Sequence, residues 1–166
     1  TWFFYTTQTT TQLADTGNRT EFLLPDNSEV VLNAASKAEF KPNRWDANRS
    51  IKLNGEAYFK VAKGKTFDVV TPLGTVTVVG TQFNVRARDN RFEVSCFEGK
   101  VKVSYKTDVV YLLPGESVAF ENGKSIVEML TDETMRVDQY NLVHGGFIFG
   151  LADYAAMIAV VSVTFN

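Results

Sequence analysis

Few side chains in this chain of 166 residues have the type and spacing of a reactive site. His144 is the only histidine, and it stands in the run NLVHGGFIFGLADYAAM, directly before Gly145 and Gly146 and ahead of the carboxylate of Asp153. A histidine, a glycine pair and a carboxylate inside an apolar helical run suit a catalytic helix, a membrane segment or a foreign piece joined to the rest. Cys96, the only cysteine, lies in the alternating run RFEVSCFEG. It has no partner for an intrachain bridge and no neighbouring motif that would lower its pKa, so it reads as a buried strand residue. Glu56 and Asn84 are flanked by apolar residues, where a carboxylate and a carboxamide satisfy buried backbone groups. No metal-spaced His/Cys/Asp cluster and no nucleophile–base pairing occurs between Thr20 and Phe120, so no catalytic, cofactor or metal residue is expected there.

The elements that position these residues are mostly strands. From Thr20 to Phe120 apolar and polar side chains alternate with period two. Phe92, Val94 and Cys96 fall on one face of their strand and Val101 and Val103 on one face of the next, while Arg91, Glu93, Lys100 and Lys102 point the other way. Turn chemistry interrupts the alternation at Pro25-Asp26-Asn27-Ser28, Asn54-Gly55, Pro72-Leu73-Gly74, Asp89-Asn90, Glu98-Gly99 and Pro114-Gly115. Asn54-Gly55 is read as a tight hairpin turn. The spacing predicts about ten short strands in a mainly β, antiparallel sandwich or solenoid-like domain. Beyond Val127 a strand and a polar connection lead to a single C-terminal helix, with Ile148, Leu151, Ala152, Ala155, Ile158 and Ala159 at helical spacing, and VVSVTFN reads as a last strand. The expected division is a linker over 1–16, an all-β domain over 17–124 and a strand–helix–strand tail over 125–166.

The net charge of −2, with Lys and Arg scattered, lacks the footprint of a nucleic-acid binder. The locally basic KPNRWDANRSIK reads as a solvated turn. The aromatic start TWFFY gives way to a Thr/Gln tract and is not a signal peptide.

Between about Gly17 and Lys124 the chain resembles the periplasmic domain of the FecR family of anti-sigma regulators. The residues that carry this are LNGEAYFKV, TPLGTVTVVGTQFNV, FEVSCFEGKVKV and LLPGESVAF, in that order. The resemblance implies a periplasmic signal-relay module, tethered to the inner membrane by a segment absent here. It would act through protein contacts, with a TonB-dependent outer-membrane transducer as partner. A sigma factor would be held only through a segment before Thr1. The resemblance implies no enzyme activity and no cofactor.

The tail resembles something different. VEMLTDETMRVDQYNLVHGGFIFGLADYAAMIAV is similar to the central-helix segment of hotdog-fold acyl-CoA thioesterases, matching at Asn141, His144, Gly145, Gly146, Leu151, Ala152 and Asp153. That likeness implies Gly-Gly amides that polarise a thioester carbonyl and a helix carboxylate that acts as base or nucleophile. Gly146 and Asp153 are about 10 Å apart along a helix rising 1.5 Å per residue, so such a site needs a second subunit. The tail has three uses open to it. It is a helix capping the β domain, a thioesterase fragment active only as a homodimer through this helix, or a transmembrane helix over Leu142–Val163, where Asp153 mid-bilayer costs roughly 2.5–3.5 kcal/mol.

Overall fold

The computed structural model describes residues 8–121 and 124–129. Within them thirteen β-strands form one continuous sheet, accompanied by a single 3-10 turn at Pro42–Arg44. The strands are β1 (Thr10–Ala14), β2 (Thr20–Leu23), β3 (Glu29–Leu32), β4 (Ser36–Phe40), β5 (Arg49–Lys60), β6 (Phe67–Val70), β7 (Thr75–Val78), β8 (Gln82–Arg88), β9 (Arg91–Glu98), β10 (Val101–Tyr105), β11 (Asp108–Leu112), β12 (Glu116–Glu121) and β13 (Lys124–Met129). The mainly β reading holds. The expected C-terminal helix and the strand after it lie outside the described residues.

The twelve-residue β5 organises everything else. Its first part pairs with β4 and, in parallel, with β6. Its second part pairs with β3 and β8. The sheet therefore has two halves that share β5, ordered β1-β4-β5-β6-β7-β10-β11 and β2-β3-β5-β8-β9-β12-β13. After β5 the chain gives hairpins to the halves in turn: β6-β7 to the first, β8-β9 to the second, β10-β11 to the first, β12-β13 to the second. Every described pairing is antiparallel except β5 with β6.

Alternation turns one face of each half inward. On β5, Ile51, Leu53, Ala57 and Phe59 are buried to 1% exposure or less, while Lys52, Asn54 and Lys60 stand outside. The inner faces meet through aromatic rings. Phe59 touches Phe67 at 6.0 Å, and Tyr105 of the first half stacks on Phe120 of the second at 4.4 Å and on Phe92 at 6.3 Å. Such stacked pairs add about 0.5–1.5 kcal/mol each beyond the area they bury.

Three local expectations change. Residues 10–14, read as linker, form β1 and pair with β4 from Thr10↔Phe40 to Ala14↔Ser36. Asn54-Gly55 is not a hairpin turn: β5 runs through it, and Gly55 at φ +110° marks the point where the strand leaves the first half for the second. The basic stretch around Trp45 is not a solvated turn either, since Trp45 is 3% exposed and Arg49 8%. By contrast Asn27 (φ +63°) and the Asp89-Asn90 pair (φ +51° and +59°) take the left-handed turn geometry their side chains tolerate.

Candidate interaction surface

The hallmark carboxylate Glu56 lies on the outer side of β5, directly after the kink. Its two oxygens accept from different carboxamides, Oε2 from Asn33 Nδ2 at 3.0 Å and Oε1 from Asn84 Nδ2 at 3.2 Å. Asn33 directly follows β3 and Asn84 sits on β8, so the carboxylate ties β5 to both of its neighbours in this half. Glu56 and Asn84 thus serve each other rather than the backbone. The backbone around them is held separately: the Glu56 amide donates to Ser36 Oγ at 3.0 Å and the Asn33 amide to the Glu56 carbonyl at 2.9 Å. Arg88 donates to Ser36 Oγ and to the Ala34 carbonyl, closing the β3-β4 connection. A carboxylate occupied at both oxygens by fixed amides is a clamp between strands.

A second fixed pair escaped the sequence reading. Arg49, at the start of β5, donates from Nε to Asp26 Oδ2 at 2.6 Å and pairs with the same oxygen through its other arm. It also donates to the Ala62 carbonyl at 2.8 Å and the Lys65 carbonyl, and its guanidinium lies 5.6 Å from the Phe67 ring centre. Burial works to raise the Asp26 pKa, but hydrogen bonds from the Ser28 amide and hydroxyl and from Arg49 outweigh it and hold the carboxyl below its ordinary value. The Trp45 indole adds to that pull without reaching hydrogen-bond geometry. The only sequence signals were a basic run and a Pro-Asp turn, and Asp26 and Arg49 stand 23 positions apart in the sequence.

Cys96 is where the alternation put it, 1% exposed on the inner face of β9. Burial first, and the negative charge of Glu116 second, push its thiol up to about 11. It is protonated at neutral pH and unsuited to nucleophilic work. Among the described residues no group of three His, Cys, Asp or Glu side chains could hold a metal. Asn141, His144, Gly145, Gly146 and Asp153, the thioesterase-like positions, lie outside the described residues.

What the described surface offers is edges and shallow grooves. One groove of about 320 Å³ runs over Lys37, Lys52, Val70 and Pro72, and another of about 300 Å³ over Thr77, Val79, Thr81, Lys100, Lys102 and Tyr111. Both are open to solvent, as places that accept another chain are, whereas small-molecule sites are enclosed. Strand edges are natural docking places for a partner strand.

Residues 7–102 match the family model described as FecR protein. The chain belongs to the FecR family. Two crystal structures of a candidate anti-sigma factor from Parabacteroides distasonis ATCC 8503 share the architecture. One has a TM-score of 0.70 at 32% identity, covering 74% of this chain and 60% of that one. The other has a TM-score of 0.69 at 31% identity, covering 72% and 59%. This FecR-family chain therefore spans about three fifths of the length of those relatives. A further 48 residues' worth of likeness, at 50% identity, is to the methylthioribose-1-phosphate isomerase of Aquifex aeolicus (strain VF5), covering 29% of this chain and only 10% of that enzyme.

Proposed function

We propose that this FecR-family chain is the signal-relaying part of an anti-sigma regulator, working in the periplasm through protein contacts and not through chemistry. The observation that carries this reading is the family match over residues 7–102, which takes in β1 to β9 and the shared strand β5. The likeness to the P. distasonis proteins supports it at 31–32% identity. The side-chain chemistry agrees: Glu56, Asp26 and Arg49 are spent on joining strands, and Cys96 is protonated in the core. A rigid sheet that carries a contact surface suits a relay between a TonB-dependent transducer outside and a sigma-binding segment inside. No helix among the described residues is long and apolar enough to cross a membrane, so the tether is assigned to a segment other than these.

The test uses the full-length regulator in cells carrying a reporter driven by its cognate sigma factor. Removing residues 8–129 should uncouple the reporter from the inducing signal while sigma-factor binding is kept. A reporter that still follows the signal would sink the proposal. So would turnover of an acyl-CoA panel by the purified chain that disappears in Asp153→Ala.

A further inference from the structure

Among the described residues four strands stand at the margins of the sheet: β1, β2, β11 and β13. Folded proteins protect such margins with charged side chains, prolines or a covering element. β2 carries Glu21 and an exposed Leu23, and β1 carries Thr11 and an exposed Leu13. β11 combines a longer apolar stripe with a neighbouring charge of one sign. Its outward residues Val109 and Tyr111 are 46% and 43% exposed, and Leu113 just after it is 52% exposed, while Val110 and Leu112 fill the core. No charged side chain of β11 itself stands between Val109 and Leu113.

The charge beside this stripe has one sign. Lys102 is paired in register with Tyr111, and Lys100 brings its ammonium 4.7 Å from the Tyr111 ring centre. The positive charge thus stands over the margin strand, about one strand spacing (~4.8 Å) from where an added strand would run. Neither lysine is ion-paired among the described residues. The nearby carboxylates are engaged: Asp68 accepts from the Thr77 hydroxyl at 2.6 Å and Glu116 from the Leu113 amide at 2.7 Å, leaving Asp108 at the far start of the strand. The groove beside the lysines includes Thr81, whose hydroxyl is 2% exposed as a residue and has no partner among the described residues.

We propose that the open margin of β11 docks an extended segment of another protein, which adds as a strand and presents acidic side chains to Lys100 and Lys102. Main-chain hydrogen bonds supply affinity in this mode, and the alternating side chains supply choice. Val109, Tyr111 and Leu113 would receive apolar residues, and the two ammoniums carboxylates. A second copy of this chain is the poorer occupant, because pairing β11 with itself sets two Lys100 ammoniums within roughly 10 Å of each other with no counter-charge between them. The inference rests on the contact-module reading, yet its test needs no sigma factor or signal, so either can fail while the other stands.

The probes are two eight-residue peptides, one alternating Val and Glu and one alternating Val and Lys, titrated into the ¹⁵N-labelled full chain. The acidic peptide should perturb the amides of residues 100–103 and 108–113 and bind at least tenfold more tightly than the basic one. Lys100→Glu with Lys102→Glu should reverse that preference, and Val109→Lys should weaken both peptides. Three results would overturn the proposal: perturbations centred on β1 or β2, a preference indifferent to the charge reversal, or shifts at 108–113 that follow protein concentration alone. The last would assign the margin to a second copy.

Discussion

At the scale of single residues, the described groups Asp26, Arg49 and Glu56 hold segments of the sheet together, and their chemistry can be read out as stability. Asp26 is the clearest case. Its carboxyl is held below the ordinary value, so the folded state binds fewer protons than the unfolded one as pH falls past the unfolded pKa. The stability it contributes is present above that value and is lost as pH drops through the folded pKa. Asp26→Asn should flatten the acid limb of a stability–pH curve. It should also cost about 3 kcal/mol at neutral pH, because Arg49 is left buried without its carboxylate. Urea melts at a series of pH values test both parts. Cys96 gives a second reading: with its thiol raised to about 11, reaction with a thiol reagent at pH 8 should be slow and limited by opening of the fold, and prompt in denaturant. Reaction of the native chain at the rate of a free cysteine would show that β9 does not bury it. For Glu56, replacement by Gln sets one of its new N–H donors against an asparagine amide that also donates, at a cost of about 1–3 kcal/mol.

Strands and turns are the scale at which sequence and structure can be compared most closely. The hairpin at Asp89-Asn90 was legible because both residues accept positive φ, and the alternation of β9 and β10 gave Phe92, Val94, Cys96, Val101 and Val103 their buried face. Asn54-Gly55 misled for a physical reason: the pair reports only that positive φ is needed, and a strand crossing between two half-sheets needs it as much as a hairpin does. The β10-β11 turn was invisible, since Lys106 adopts φ +52° in a Lys-Thr pair with no turn signature. Asn33 and Arg49 were missed because their partners, Glu56 and Asp26, are each 23 residues away in sequence. The kink itself is testable. A Cβ on Gly55 would stand 2.4 Å from Ser36 Oγ and 2.9 Å from Ser36 Cα, on a backbone at φ +110°. Gly55→Ala should therefore cost about 3 kcal/mol, whereas Gly17→Ala, at φ +83° with open space around it, should cost about 1 kcal/mol, the strain of the backbone alone. Thermal melts of the two variants decide it, and equal losses would mean that contact with Ser36 contributes nothing.

For the whole described molecule the shared strand has a thermodynamic consequence. Each half-sheet alone would expose one apolar face, and β5 cannot be withdrawn from one half without unpairing the other. Hairpins assigned alternately to the two halves add to this, because each later hairpin docks on one laid down earlier in its own half while its neighbours in sequence lie in the other. Phe59 stands at the junction, fully buried, stacked on Phe83 of the second half at 5.1 Å and against Phe67 of the first at 6.0 Å. The two halves should unfold as one unit. Phe59→Ala should cost about 3–5 kcal/mol, the usual range for an aromatic removed from a packed core. Native-state hydrogen exchange should then show the loss of protection equally in β6-β7 and β8-β9. Protection lost in β8-β9 alone would mean that the halves open separately, and a signal arriving at one would not be carried by the sheet to the other. If the losses are equal, a contact made at the β11 margin is mechanically continuous with the face that carries Glu56, as a relay built from a single sheet requires.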